Sequence, residues 1–596
     1  MYDKQALDNL RKWLQEHYFQ GIVIPSNDCH FDEYVPERFA VRAAVSGFDG
    51  SAGTLVVTNC KAALWTDSRY FLQAARQLQG TGIELMKLKM AGTPAIAGWL
   101  KSELSEGSRI AVDGNLFSQG EFDTLSGDIA PYELCAIDDP FDDILQSRPA
   151  MPAAPIYIID ERYSGESVVS KRQRLIAKAT LEGSFAFVIS TTDDIMWLCN
   201  IRGGDIEYNS VALSYCVVTS DGLHLFCNLP CLEQSAAQYL ASQGVTLHEY
   251  DTFRQFLGDL KVDKVMFSSN LATVQTYSAV PKGIEVVKDP IIGGVLPMLK
   301  CRKNAVELDG FRKALLNDGI AQAKLLKFID ENVASGVLNE YNVALKLISL
   351  RSECPDYLGE SFEPIVAFNA NAAAAHYSVE NEEGAAKITQ RGFLLMDTGA
   401  HYPYGTTDTT RTIYLGSFDT PEEDAEARRD YTLVLKGMID LACAVFPAGT
   451  RGSQLDILAR GPMFATGKMY YHGTSHGVGH HLCVHEAPQI RMEENPIALD
   501  KGMVMSDEPA VYVEGHYGIR TENMVAIVPY CSNAEYGDFF KFETLTLVPI
   551  ETSIICRELL NEAELSWIEA FNRNVVETLA PHLSAEETAW MRRKYL

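Results

Sequence analysis

The sequence predicts an α+β protein in which two smaller α/β domains precede a larger domain of mixed helices and strands. Three observations carry this. At 596 residues the chain exceeds what one hydrophobic core supports and suits two to four domains. Proline and glycine cluster twice, in "SRPAMPAAPIY" (Pro149, Pro152, Pro155) and in "DPIIGGVLPMLKCRKN" (Pro290, Gly293, Gly294, Pro297). These breaks divide the chain into parts 1–155, 156–299 and 300–596. Each part mixes short apolar runs of strand length with stretches whose apolar residues recur at helical spacing.

The elements follow in order. Leu7, Leu10 and Leu14 share one face of an opening helix. "QGIVIPS" is a short strand, and "GTLVVTNCKAALWTD" reads as two strands around a polar turn at Thr58–Lys61. "SFAFVIS" and "ALSYCVVTSDGLHLFCN" supply strands in the second part. The third part opens with a helix from about Ala305 to Ala334. Strand-like runs follow at "GFLLMDTG", "DTTRTIYLG", "MVMSDEP" and "IRTENMVAIV", with helical runs such as "YTLVLKGMIDLACAVF" between them. In the tail, Ile568, Phe571, Val575 and Leu579 share a helical face, and Ser584 with Glu587 forms a capping box for a last helix.

Bulk properties exclude several classes. The net charge, 51 − 79 = −28, opposes nucleic acid or anionic membrane as a main partner, since both need a basic face. No apolar run reaches the ~18 residues of a membrane span, and the N-terminus lacks the apolar core of a signal peptide. Thirteen scattered cysteines without a C-x-x-C pair fit reduced, mostly buried thiols in a cytoplasmic protein.

The stretch "HGTSHGVGHHLCVHE", His472 to Glu486, holds five of the thirteen histidines. It contains a literal G-x-S-x-G around Ser475. A nucleophile elbow needs a helix directly after the serine, and Gly477, Gly479 and Pro488 make a poor one. A zincin H-E-x-x-H is also absent, because Gly473 follows His472. Four acids, Asp397, Asp408, Glu508 and Glu522, end or interrupt β-like apolar runs, where an unpaired carboxylate is expensive to bury. If the runs around Asp397 and Asp408 form a hairpin centred near Pro403, these two face each other across it. Each acid alone reads as a turn cap or a partner of a nearby arginine. Together, four carboxylates balance two divalent cations, and one imidazole completes a set of hard donors suited to Mn²⁺, Co²⁺ or Fe²⁺. Two such ions can share a water and polarise a carbonyl.

In "MDTGAHYPYGTTDTTRT", "HGTSHGVG", "SDEP" and "GIRTEN" the order Asp, Asp, His, Glu, Glu resembles the pita-bread metallopeptidases, the family of methionine aminopeptidase, prolidase and aminopeptidase P. "SGFDGSAGTLVVTNCKAALWTDSRYFLQA" and "NIRGGDIEYNSV" are similar to the first two domains of the long, three-domain aminopeptidases P. The resemblance implies a C-terminal pita-bread domain after two creatinase-like N-terminal domains. It implies metal ligands Asp397, Asp408, His476, Glu508 and Glu522, with Asp408 and Glu522 bridging two ions. Glu508 would also move a proton. His376 and His485 would contact substrate and stabilise developing charge, and His472 would line the proline side. Arg520 would orient the carboxylates and bind substrate. The implied reaction is hydrolysis of an N-terminal Xaa-Pro bond by a hydroxide bridging two divalent metals, with Mn²⁺ first and Co²⁺, Fe²⁺ or Zn²⁺ as alternatives. Peptides with proline at the second position are the implied partners, and a homodimer the implied assembly. Prolidase, acting on Xaa-Pro dipeptides, is the alternative, followed by a non-catalytic binding module. The chain departs from the family at Ser475, where glycine is usual, and at His480 and His481, which stand where small or apolar residues are usual and are read as surface or packing residues.

Overall fold

The computed structural model describes residues 3–379 and 381–596. The chain forms two compact units. One comprises the residues up to Ile158 together with Glu166–Pro297, and the other Ile159–Gly165 with Met298–Leu596.

The first unit holds two six-stranded sheets. In spatial order the first is Glu84–Lys87, Ala62–Thr66, Thr54–Thr58, Gly21–Ile24, Arg109–Asp113 and Glu133–Ile137. The second is Val245–Glu249, Leu223–Cys227, Ser214–Thr219, Phe185–Ile189, Lys264–Phe267 and Glu285–Lys288. Numbered along the chain, the strands of both sheets stand in the order 4-3-2-1-5-6. In both, the 1–2 and 2–3 pairs are antiparallel and the 3–4, 1–5 and 5–6 pairs parallel. The first strand of each, "GIVI" and "FAFVI", is buried throughout, which explains its unbroken apolar run. The helix Ala6–Glu16 buries Leu10 and Leu14. Thr58 N–H donates to the Lys61 carbonyl at 2.8 Å, closing the expected turn.

The second unit opens on the helix Ala305–Asn332, continued by a 3-10 turn, Val333–Ser335. Asn304 caps it by accepting from the backbone N–H groups of Val306 and Glu307. Glu340–Arg351, Pro421–Ala442, Gly452–Phe464, Glu562–Leu579 and Ala585–Tyr595 are further helices. Ile568, Phe571, Val575 and Leu579 are buried as their spacing predicts, and the Ser584–Glu587 capping box is formed. One sheet orders Ile365–Phe368, Gly392–Thr398 and Thr409–Gly416. A six-stranded sheet orders Val445–Pro447, Gly537–Thr544, Asn523–Asn533, Val504–Asp507, Ser475–Gly477 and Glu486–Ile490.

Two expectations need correction. "IRTENMVAIV" is not one strand: Tyr517–Arg520 pairs with Ala510–Val513, while Asn523–Asn533 belongs to the six-stranded sheet. The break falls at Thr521 and Glu522. Asp397 and Asp408 are also not directly opposed. Asp397 pairs with Thr410, and the chain between the two acids makes its own small hairpin of Ala400–Tyr402 and Gly405–Thr406. Because strand side chains alternate, Asp408 still falls on the same side as Thr410, diagonal to Asp397.

Candidate metal centre

Strand ends deliver the five expected ligands. Asp397 is the penultimate residue of Gly392–Thr398, and Asp408 immediately precedes Thr409–Gly416. His476 is central in Ser475–Gly477, Glu508 follows Val504–Asp507, and Glu522 precedes Asn523–Asn533. One donor atom each of Asp408, His476 and Glu522 lies within 4.8 Å of the other two. His476 Nε2 is 3.4 Å from Asp408 Oδ2 and 3.6 Å from Glu508 Oε1. Asp397 joins through Arg520, whose Nη2 donates to Asp397 Oδ2 while its Nε donates to Thr410 Oγ1 at 3.1 Å. The Thr410 hydroxyl in turn donates to Glu522 Oε2 at 2.7 Å.

The cluster is rich in negative charge and poor in donors. Burial pushes the Asp397, Glu508 and Glu522 carboxyls up, and repulsion from Asp408, Asp397 and Glu508 adds to the rise at Glu522. Burial alone would lower His476, but its hydrogen bond to Asp408 and the charges of Glu508 and Asp408 outweigh it and raise the imidazole to about 9. Asp397 Oδ1 is buried and accepts no hydrogen bond. Such an oxygen is costly unless something positive meets it. His476 Nδ1 donates to the Gly477 carbonyl at 2.9 Å, which leaves Nε2 as the ligand atom facing the carboxylates. Oxygen donors with one imidazole fit hard or borderline divalent ions.

Of the remaining expected residues, His472 and His485 lie against this cluster, and His376 lies in a turn that packs beside the strand carrying Asp397. His472 Nδ1 donates to the Gly473 carbonyl at 2.7 Å, its Nε2 meets the Tyr512 hydroxyl at 2.9 Å, and Glu508 Oε2 lies 3.8 Å from Nδ1. The His485 ring stands edge-on to His476, centroids 4.4 Å apart. His376 lies in the turn after Asn369–Ala373, flanked by Ala372 and Tyr377, which pack on Leu395 two residues before Asp397. Glu340 anchors that segment, accepting from Phe368 N–H at 2.7 Å and from the Tyr377 hydroxyl at 2.8 Å. Ser475 is itself a strand residue and the next element after it is the strand Glu486–Ile490 rather than a helix, so a nucleophile elbow is not built. Of the two readings given for His480 and His481, surface or packing, the surface one is corrected and the packing one holds: both are buried, His480 edge-on to Phe311 and His481 tilted against His401.

Family models match along the chain: the creatinase/prolidase N-terminal domain over 7–144 and, in a second version, over 147–307. Metallopeptidase family M24 matches over 309–529 and its C-terminal region over 538–595. "Probable Xaa-Pro aminopeptidase P" of Coprinopsis cinerea is 36% identical over 99% of this chain and 97% of its own. The chain belongs to the aminopeptidase P family of M24 metallopeptidases. Another relative, "Aminopeptidase P1" of Arabidopsis thaliana, is 32% identical over 99% of this chain and 98% of its own. The crystal structure of X-prolyl aminopeptidase from Caenorhabditis elegans, described as a cytosolic enzyme with a di-nuclear active site, superposes with a TM-score of 0.92 at 31% identity over 99% of each chain.

In this chain, sequence reasoning missed Tyr512 and Thr410. Tyr512 accepts from Arg520 Nη1 at 2.6 Å, linking Arg520 to His472. Its signal was present: Ala510 pairs with Arg520, so a period of two puts Tyr512 on the same face of that hairpin. The pairing itself could not be read, because "YGIRTENMVAIV" looks like one strand. Arg520 engages three protein partners through Nε, Nη1 and Nη2, which suits orienting Asp397 better than contacting substrate.

Proposed function

We propose that this chain is a metal-dependent aminopeptidase that removes the N-terminal residue from peptides whose second residue is proline. The observation that carries it is the buried group of Asp408, His476 and Glu522 with half-buried Asp397 and Glu508 beside it, one Asp397 oxygen orphaned, in a chain aligned end to end with aminopeptidases P. Asp397, Asp408, His476, Glu508 and Glu522 would hold two divalent ions. Those ions would lower the pKa of a water and polarise the scissile carbonyl.

The chain's own groups supply the rest. An Xaa-Pro bond is a tertiary amide without an N–H, and the ring restricts the residue before it. Chemistry that never needs to grip that N–H suits such a bond. Glu508 takes a proton on its carboxylate and returns it to the proline nitrogen, which must be protonated to leave. His376 and His485 donate to the oxygen that gains charge. His472, held by Tyr512, lines the side that takes proline. Arg520 fixes the orientation of Asp397.

Mn²⁺ is the metal we favour, with Co²⁺, Fe²⁺ and Zn²⁺ as alternatives. A homodimer in the cytoplasm is the expected form, and no helix among the described residues is long and apolar enough to cross a membrane. We take 1–155, 156–299 and 300–596 as the three domains. The test is turnover of an Xaa-Pro-Pro tripeptide beside an Xaa-Pro dipeptide, with metal content measured on the same protein. Cleavage of the tripeptide that depends on metal is expected. Cleavage confined to the dipeptide identifies a prolidase, and a folded, inert protein that binds no metal identifies a binding module.

A further inference from the structure

The chain between Asp397 and Asp408 leaves the sheet that carries them. Ala400–Tyr402 and Gly405–Thr406 pair with each other, and Ala400–Tyr402 also pairs with Gly359–Glu360. This excursion begins and ends beside two of the assigned ligands. Something must fix its two ends, because a slip at either one re-aims a carboxylate.

A buried guanidinium lies at that place. Arg351 is the last residue of Glu340–Arg351 and is 0% exposed. Its Nη2 donates to Thr398 Oγ1 at 3.1 Å and its Nη1 to the Gly399 carbonyl at 3.1 Å, next to Asp397. Its Nε donates to Asp318 Oδ1 at 2.8 Å. The other Asp318 oxygen accepts from Thr407 Oγ1 at 3.2 Å, next to Asp408. Nη1 also meets Glu360, which the Tyr357 hydroxyl holds at 2.6 Å. Gln322, one helical turn after Asp318, donates to Thr398 Oγ1 at 2.6 Å. Across the neck, Ala400 N–H donates to Thr407 Oγ1 at 2.9 Å and Ser361 Oγ to the Thr407 carbonyl at 2.9 Å. The strands meet so closely that a Cβ on Gly399 would collide with the Thr407 carbonyl oxygen and the Ser361 hydroxyl.

We propose that Arg351, acting through Asp318, is a positioning residue that sets the separation of Asp397 and Asp408 and thereby the affinity for the second metal ion. The inference rests on the metal assignment above. The sheet pairing of Asp397 with Thr410 and Thr398 with Thr409 does not involve Arg351, so the strands keep their register without it. What the guanidinium adds is a planar fork that holds the Thr398–Gly399 end directly and, through Asp318, the Thr407 end. Lysine keeps the charge but cannot make those bonds in one geometry.

The test is titration of metal-free protein with Co²⁺, read by its visible absorption and by bound metal, at a temperature well below melting. The chains compared are wild type, Arg351→Lys and Thr407→Val. Arg351→Lys is expected to bind its weaker ion about 10- to 100-fold less tightly, the range for a residue supporting a ligand. The Co²⁺ spectrum should change with it. Thr407→Val removes the Asp318 link, and with it the Ala400 N–H bond across the neck, without touching the guanidinium, and is expected to shift the same ion in the same direction. It serves alone if Arg351→Lys does not fold. A purely structural Arg351 would lower the melting temperature and leave both Co²⁺ affinities unchanged. Wild-type affinities in a folded Arg351→Lys, or in Thr407→Val if Arg351→Lys does not fold, overturn the inference while the metal assignment stands. A wild-type chain that binds no cation overturns the assignment and this inference with it.

Discussion

His476 shows how one residue's bonding prepares a site: its Nδ1 proton is committed to the Gly477 carbonyl, so only Nε2 can serve the carboxylates. Glu522 is the opposite case, a carboxylate whose buried charge has three acidic neighbours. Glu522→Ala, or Asp408→Ala, is therefore expected to abolish turnover and lower bound metal below two ions. Metal analysis beside a peptide assay checks this, and full activity with two ions retained sinks the ligand assignment. Ser475 carries a buried hydroxyl with no hydrogen-bond partner. Removing such a group is nearly neutral, so Ser475→Ala should keep most activity and wild-type stability or slightly more. Complete loss of turnover with metal intact would revive a serine mechanism. The other histidines separate by role. His376→Ala should lower kcat by roughly 10²–10³ with little change in KM, the range for one lost oxyanion donor. Buried His480 should instead affect stability: His480→Ala is expected to lower Tm while kcat at low temperature stays within about a few-fold of wild type.

At the scale of elements, capping gives a sharp expectation. The Asn304 side chain accepts from Val306 and Glu307 and donates to the Ser164 carbonyl at 2.8 Å. Asn304→Ala should cost about 1 kcal/mol for the cap alone, read as a shift in the denaturation midpoint. An unchanged midpoint means that the helix is held elsewhere. Local elements of this kind were legible in the sequence. The turn at Thr58–Lys61, the tail helix and the Ser584 cap rest on short-range patterns, and each formed as read. The four acids of the candidate site were legible because each ends or interrupts an apolar run, whereas His476, in a glycine-rich stretch, was singled out only through the family resemblance. Pairings between distant segments were not. The excursion between Asp397 and Asp408 looked like a plain hairpin, since its partner Gly359–Glu360 lies far upstream. Glu522 seemed mid-strand because the residues on both sides are strand formers, although they serve different sheets. The burial of His480 and His481 was hidden for the same reason: their neighbours Phe311 and His401 come from other segments.

For the whole molecule, the shared 4-3-2-1-5-6 order of the two sheets in the first unit marks it as one plan used twice, although no short repeat is visible in the sequence. The second unit also includes residues 159–165, which in the chain fall between the two sheets. Within it the Tyr163 ring lies against Tyr404 at 5.9 Å and Ser164 receives Asn304. Tyr163→Ala should therefore weaken the metal-bearing unit by about 1 kcal/mol, seen by calorimetry as a downward shift of its transition alone. A shift in the other unit's transition instead would contradict the division. The path of the chain has a practical consequence for anyone who cuts it. The polypeptide passes between the units three times, after Ile158, after Gly165 and after Pro297. A single scission at 297 thus leaves the carboxyl-terminal fragment without seven of its residues. During synthesis those seven emerge long before Asn304, whose side chain Ser164 receives. A faithful excised catalytic fragment must carry 159–165 grafted back, or be supplied with that peptide in trans.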